Sequence, residues 1–279
     1  MTFELFIAVR YLLARRKQAF ISLTSLISTI GVAVGVMALI IALGLMTGLQ
    51  GEMRDRILGS TAHVYVWKSG GIEDYQSEVE KLREIGGVLG AAPAILGRAL
   101  ISTERGDAFI SLKGVDPTLE PNVTDIERTM QDGSIKALVP TSDTDAPGIL
   151  IGRNLAEQLG VGVGTLATLV TPQGTLSPIG MIPRARRVRI AGIFALGLHE
   201  FDAAYGFVSL EFAGRVMGKV VPDLLQLRVE DIDRAPAVAG RVTDQLGSQY
   251  VSQDWTDMNQ QLFSALWLEK MAISITIGL

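Results

Sequence analysis

Few side chains in this 279-residue sequence combine types and spacings that suit catalysis or metal binding. His199-Glu200-Phe201-Asp202 offers cation ligands, but isolated His, Glu and Asp residues seldom hold a metal without a further spaced ligand, so we interpret the run as a polar loop. Gly214–Lys219 lacks the spacing of a phosphate-binding loop, and Val220 stands where that loop needs a hydroxyl. GxSxG, HExxH and EF-hand patterns are missing from the sequence, as is cysteine. We therefore expect no catalytic residue, metal site or cofactor in this chain.

The segment Thr171–Arg184, TPQGTLSPIGMIPR, has a composition that suits docking to another protein. Its prolines and glycines predict a loop without regular secondary structure. Among them stand the apolar residues Leu176, Ile179, Met181 and Ile182. A stiff loop with apolar side chains loses little entropy on binding, which favours a docking role. The alternative, a long hairpin tip folded back on its own domain, stays open at this point.

Residues 18–51 are the part of the chain that would hold this segment near a membrane. No charged residue occurs between Lys17 and Glu52. A bilayer core about 30 Å thick needs roughly 20 apolar helical residues, so the stretch predicts a transmembrane helix. Small residues lie along one face of that helix: Gly31, Gly35, Ala38 and Ala42. Such a stripe favours close packing against a second membrane helix. The alternative is a simple anchor, whose glycines are typical of membrane helices in general.

Charge predicts the orientation of the span. Residues 1–17 hold four basic residues against Glu4 and read as an amphipathic helix on the cytoplasmic membrane surface. Basic residues flank the cytoplasmic end of a span, so we expect a cytoplasmic N-terminus and residues 52–260 in the periplasm. The apolar stretch is too long for a cleaved signal peptide. Residues 1–17 carry a net charge of +3 and the whole chain carries −4, so residues 18–279 carry −7. This negative charge argues against nucleic acid as a partner.

Residues 52–260 predict a soluble α+β domain, because strands and helices interleave without a regular βαβ rhythm. The predicted strands are His63–Trp67, Ala94–Thr103, Asp107–Val115, Thr165–Val170, Arg187–Phe194, Gly206–Leu210 and Leu224–Val229. The apolar run Ile149–Gly152 begins the second half of the domain, and Tyr250–Asp254 leads back toward the membrane. The predicted helices are Glu73–Ile85, Arg153–Leu159, Glu211–Met217 and Arg234–Leu246. Gln131–Gly148, rich in Asp, Ser, Thr and Pro, predicts a surface loop. Residues 261–279 are apolar at helical spacing and predict the start of a second transmembrane helix, cut short after Lys270.

Several ordered runs together resemble the LolC/LolE family, the membrane subunits of the lipoprotein-releasing ABC transporter. These runs are Ser28–Ile40, Ile57–Gly59, Leu112–Pro117, Ile151–Gly164, Ser177–Phe194 and Leu262–Ala272. The likeness covers nearly all of this chain and the first two-thirds of such a subunit.

The resemblance implies a permease with four membrane spans and a periplasmic domain between the first two. It implies an inner-membrane complex with a LolD-like cytoplasmic ATPase that binds the ATP, and a second permease subunit, either identical or a paralogue. That complex lifts lipoproteins out of the membrane and passes them to the periplasmic carrier LolA.

The resemblance also implies a carrier-binding hook at 171–184, formed by Pro172, Ser177, Pro178, Ile179, Gly180, Met181, Ile182 and Pro183, with Arg186 beside it. Val163 stands where LolC has a second basic residue, which weakens a LolC assignment over LolE. Two other readings remain at this point. One is a MacB-like or FtsX-like permease with a different partner, and the other is a single-span tethered binding module.

Overall fold

The computed structural model of the chain describes residues 3–4, 6–7, 10, 19–142, 145–177 and 180–278. The chain divides into two compact units, one of Met1–Met53 with Gln260–Leu279 and the other of Arg54–Asn259. The helices are α1 (Ala19–Ser60), α2 (Tyr75–Arg83), α3 (Arg153–Leu159), α4 (His199–Ala204), α5 (Leu210–Met217), α6 (Ala235–Leu246), α7 (Trp255–Met258) and α8 (Gln260–Gly278). The strands are β1 (Val64–Lys68), β2 (Val88–Thr103), β3 (Gly106–Val115), β4 (Met130–Gly133), β5 (Gly148–Gly152), β6 (Leu166–Ser177), β7 (Gly180–Phe194), β8 (Tyr205–Ser209), β9 (Leu224–Val229) and β10 (Tyr250–Asp254).

Helix α1 contains the one stretch, among the residues that the structure describes, that is long and apolar enough to cross a membrane. This stretch is Leu23–Gly48, with a mean hydropathy of 2.6. The helix continues nine residues past Gly51 to Ser60, because 52–58 are mostly good helix formers without proline or glycine. Helix α8 carries Glu269 and Lys270 near its middle, and its role as the start of a second span stays a prediction.

The strands form one mixed sheet, which confirms the α+β prediction. Its order is β10-β1-β9-β2-β3-β8-β5-β7-β4, and β6 pairs with both β7 and β2. Strand β6 therefore closes β2, β3, β8, β5 and β7 into a ring of six strands. Pairing within the ring is antiparallel except for β3 with β8 and β5 with β7.

The two faces of the ring are covered differently. On one face, buried Val, Ile and Leu side chains of the strands pack with α3 and α5. On the other face, the segment 116–139 covers part of the sheet with Ile126, Ile135 and Leu138. Phe194 and Phe207 meet edge-to-face beneath that segment, with ring centroids 5.2 Å apart. The rest of this second face carries exposed residues, among them Phe109 at 83%.

The prediction of a surface loop over Gln131–Gly148 is partly wrong. Part of this range forms β4, and Ile135–Leu138 forms a short 3-10 helix. Ile135 and Leu138 are three residues apart and both enter the core, so burial of these side chains orders a segment whose composition is typical of loops.

A buried polar network ties the covering segment to the sheet. The Glu120 carboxylate is fully buried and accepts from Lys113 Nζ at 2.8 Å, from Thr124 Oγ1 at 3.0 Å and from Gln226 Nε2 at 3.2 Å. Burial, together with the Glu120 charge, raises the pKa of Tyr65 above its ordinary value. Five residues after Glu120, the Asp125 amide donates to the Gly59 carbonyl at 3.0 Å. The segment that carries Glu120 is thus also hydrogen-bonded to Gly59, the residue before the last one of α1.

Candidate functional site

The candidate site is the end of the hairpin formed by β6 and β7. These strands pair from Leu166 opposite Arg189 to Ser177 opposite Gly180, so the prediction of an irregular loop over Thr171–Arg184 is wrong. The register shifts between Thr171 and Thr175, and Pro172 and Pro183 both fall within that shift. A β-bulge places proline nitrogens outside the regular hydrogen-bond ladder, which is how the strands tolerate these two prolines.

The topology explains why the hairpin leaves the sheet. Strand β6 pairs with β2 only at Leu100–Ser102, while β9 occupies the same edge of β2 from Val88 to Ala94. Strand β6 therefore separates from β2 along residues 95–99, between its own pairing and that of β9. Beyond Thr171 and Arg184, the described parts of the two strands pair only with each other. We call this two-stranded ribbon, residues 171–184, the hook segment.

An ion pair occupies the fork where β6 separates from β2. The Leu96 amide donates to Asp223 Oδ2 at 3.0 Å, and the Leu96 carbonyl accepts from Lys219 Nζ at 3.0 Å. Lys219 and Asp223 are themselves 2.5 Å apart. Both backbone groups of Leu96 are thus satisfied by side chains where no strand is available to pair with them.

The last turn of α5 holds the root of the hook segment. Buried Thr171 donates from Oγ1 to the Val216 carbonyl at 3.0 Å. Opposite it, Arg184 donates from Nη1 to the Arg215 carbonyl at 3.2 Å. Carbonyls in the last turn of a helix lack partners within the helix, so they are available to accept these bonds. Sequence reasoning missed both contacts, because nothing local in the chain links residues that stand 31 to 45 positions apart.

The predicted hook residues fall in this one hairpin. Pro172 and Arg186 are exposed, and Pro178 and Ile179 lie outside the described residues. Ser177, Gly180, Met181, Ile182 and Pro183 belong to the paired strands, and their side chains lie outside the description. Val163 is 39% exposed in the turn before β6. Carrier binding by these residues stays a prediction.

The small-residue stripe of α1 is exposed at Gly31, Gly35 and Ala38 and half-buried at Ala42. A Cβ atom added at Gly31 or Gly35 would meet no described atom within 4 Å, apart from the backbone of its own helix turn. The stripe is therefore accessible along the described helix, and its helix-packing role stays a prediction.

The run at 199–202 is not a loop but the start of α4. Asp202 is buried, and its carboxylate accepts the amides of Leu196 at 2.8 Å and Gly197 at 3.0 Å. His199 Nδ1 is hydrogen-bonded to the Asn154 side chain. Asp202 thus stabilises the turn before the helix, and the described part of the chain contains no cluster of three or more potential metal ligands.

Comparison with known proteins is consistent with this arrangement. Residues 25–245 match the family described as the MacB-like periplasmic core domain. The "Lipoprotein-releasing system transmembrane protein LolC" of Xylella fastidiosa is 35% identical over 98% of this chain and 65% of its own length. The LolC of Neisseria meningitidis serogroup B is 30% identical over 99% of this chain and 66% of its own length. The LolE of Haemophilus influenzae is 25% identical over 74% of this chain and 49% of its own length.

The chain thus spans about 65% of the length of these LolC relatives. The match to the core domain covers most of the chain, and the LolC likeness runs through α1, the sheet domain and α8. This chain belongs to the family with a MacB-like periplasmic core domain and, within it, to the LolC/LolE transmembrane proteins.

Proposed function

We propose that this chain is part of a permease subunit that extracts lipoproteins from the inner membrane and passes them to the soluble periplasmic carrier LolA. In this proposal the hook segment binds the carrier, α1 crosses the membrane with its N-terminus in the cytoplasm, and the sheet domain lies in the periplasm. ATP binding and hydrolysis belong to a separate LolD-like ATPase subunit, and a second permease subunit, identical or paralogous, completes the complex. The names of the LolC relatives support the transport role.

One observation carries the carrier-binding role: a proline-bearing ribbon that leaves the sheet and is anchored at its root. The ribbon pairs with no third strand among the described residues, while Thr171 and Arg184 hold it on α5. A ribbon that is restrained before binding loses less entropy when a partner docks on it. Leu176, Met181 and Ile182 are apolar residue types, which are the kind that the core of a protein interface buries.

The test is capture of purified LolA by the full-length membrane protein in nanodiscs. The variant Pro178→Ala with Met181→Asp places a charge in the hook segment and relaxes its backbone, so we expect LolA capture to fall at least tenfold. Glu104→Ala, in the exposed turn between β2 and β3, is the matched control and should capture LolA as the unchanged protein does.

Unchanged capture by the hook variant would reject the carrier-binding role. It would favour a second candidate, a permease of the MacB-like group with a different periplasmic partner, which the match to the MacB-like core domain also supports.

A further inference from the structure

The sheet consists of two parts that share strand β2. Strands β10, β1 and β9 form one part, which we call the α1-linked strands, because β1 is the first strand after α1. They pair with β2 through β9, at residues 88–94. The ring pairs with β2 at residues 94–103. The two pairings overlap at Ala94 alone, which lies opposite Leu224 on β9 and Val115 on β3.

The backbone ladder is interrupted where the two parts meet. On the edge of β2 that carries β9 and β6, residues 95–99 have no strand partner. A hollow of about 560 Å³ opens beside this gap, lined by Trp67 on β1 and by Leu96 and Val220, among others. A strand segment that is paired on one edge only is held by fewer hydrogen bonds than its neighbours, so bending costs least there.

Two side chains close the gap that the strands leave. Lys219 is fixed to the ring side, because its amide donates to the Gly214 carbonyl of α5 at 2.9 Å. Asp223 is fixed to the other side, because its amide donates to the Ala94 carbonyl at 3.1 Å, directly before β9. The ion pair between the two side chains, with their bonds to the Leu96 backbone, therefore joins the two parts across the gap.

The Lys219–Asp223 pair differs from the Glu120 network, which also connects the two parts. Glu120 is fully buried and bonds Lys113 on β3 and Gln226 on β9. The side chains of Lys219 and Asp223 are 32% and 24% exposed. An ion pair in contact with water opens at a lower cost than a buried one, because water replaces the lost partner. The pair at the fork is thus a link that can be released without leaving a charge buried.

The direction of the hook segment depends on this link. Lys219 lies two residues after the end of α5, and the last turn of α5 accepts hydrogen bonds from Thr171 and Arg184 at the root of the hook. Six strand steps of about 3.4 Å give the ribbon a length of about 20 Å, so a rotation of about 20° at its root moves its tip by about 7 Å. A small bend at the fork therefore displaces the end of the hook by more than a strand spacing.

We propose that residues 95–99 of β2 form a hinge between the α1-linked strands and the ring, and that the Lys219–Asp223 pair locks it. The lock keeps the hook segment in one direction relative to the α1-linked strands. Lys219 and Asp223 are then positioning residues for carrier binding, a step that rests on the proposed function. A carrier that docks on one direction of the hook binds an unlocked protein more weakly, in proportion to the fraction of molecules that hold this direction.

Distances between spin labels test the lock without the carrier. Gln253→Cys on β10 and Gln158→Cys on α3, both at exposed positions, attach the labels to the full-length permease complex in nanodiscs. Dilution with unlabelled chain restricts the measured distances to one chain. We expect one narrow distance distribution, and at least twice its width in Lys219→Met with Asp223→Ala, because this double variant removes the lock.

Two variants serve as controls and should keep the narrow distribution. Lys219→Arg retains a cation that reaches Asp223 and the Leu96 carbonyl. Glu211→Gln removes an exposed ion pair with Arg215 that lies within α5 and does not touch the fork. If circular dichroism shows that the double variant is unfolded, Lys219→Met alone replaces it, because Asp223 then still accepts from the Leu96 amide.

Titration of purified LolA against the same complexes gives the second readout, and the Kd of the double variant should rise at least threefold. A distribution that stays narrow in the double variant overturns the lock, and the proposed function stands if the hook variant Pro178→Ala with Met181→Asp still binds LolA weakly. A broadened distribution with an unchanged Kd overturns the positioning role. If the distribution broadens and the hook variant binds LolA as the unchanged protein does, the proposed function fails and the lock alone is supported.

Discussion

Glu120 shows how one residue joins the covering segment to the sheet. Its carboxylate is fully buried, and the Lys113 ammonium is the cation that neutralises it. Lys113 also lies 5.4 Å from the centre of the Phe207 ring. Burying two charges costs several kcal/mol per ion, so the pair is tolerated only because Thr124 and Gln226 complete the hydrogen bonding.

Glu120→Gln removes the negative charge and leaves Lys113 buried without its partner. We expect a loss of about 3 kcal/mol in the free energy of unfolding of the sheet domain. Urea unfolding of the full-length protein, followed by tryptophan fluorescence, measures it. Glu211→Gln is the control, because its pair with Arg215 is exposed, at 81% and 61%, and should be worth less than about 0.5 kcal/mol. A loss of the same size in both variants would contradict a special role for the buried pair.

At the scale of elements, the hook segment depends on α5 for its position. Strand β6 leaves the edge of β2 before it reaches the part of that edge where β9 pairs, and two hydrogen bonds to α5 hold the root of the hook segment. The element that holds the hook is thus a helix that lies later in the chain.

Thr171→Val with Arg184→Met removes both bonds and leaves the Val216 and Arg215 carbonyls without these donors. Each lost bond is worth about 1 kcal/mol, which is enough to raise local opening several-fold. Hydrogen exchange of the full-length protein should become faster in residues 171–184 and stay unchanged in β1 and β9. Thr103→Val, which removes a bond in the β2–β3 turn, is the control and should leave residues 171–184 unaffected. Equal exchange in all three proteins would show that α5 does not hold the hook.

The stripe on α1 makes a separate prediction at the element scale. Gly35→Leu fills the small-residue face, so we expect weaker co-purification of a second permease copy or paralogue if the stripe packs against a helix. Ala33→Leu enlarges a small residue on the opposite side of α1 and is the matched control. Equal co-purification of both variants with the partner would favour the simple-anchor reading.

Strands with clear local patterns were predictable. The apolar runs of β5 and β9 lie between turn residues. The predicted strands leave Glu104-Arg105-Gly106 as the turn between β2 and β3, and the observed turn is one residue shorter, because Gly106 already pairs with Thr103. Proline predicts a break in a strand, so the sequence does not reveal the pairing of the hook segment, in which Pro172 and Pro183 lie within a register shift. The closure of the ring by β6 and β2, and the contacts of Thr171 and Arg184 with α5, join distant parts of the chain and leave no local pattern.

At the scale of the whole molecule, the proposed function requires that residues 1–17 and the sheet domain lie on opposite sides of the membrane. The sequence contains no cysteine, so a single introduced cysteine reports one position without interference. In intact spheroplasts, Ser248→Cys should react with a membrane-impermeant maleimide and Thr2→Cys should react only after lysis, because the basic residues favour a cytoplasmic N-terminus. The reverse pattern would contradict the periplasmic placement and the handover to LolA with it.

The most direct test of carrier binding shortens the hook segment. Thr171 lies opposite Arg184, so an Asn-Gly turn in place of residues 172–183 closes the hairpin in its existing register. LolA is then titrated against the full-length complex that carries this replacement. The account predicts a folded complex whose affinity for LolA falls at least a hundredfold, while an unchanged Kd would contradict it.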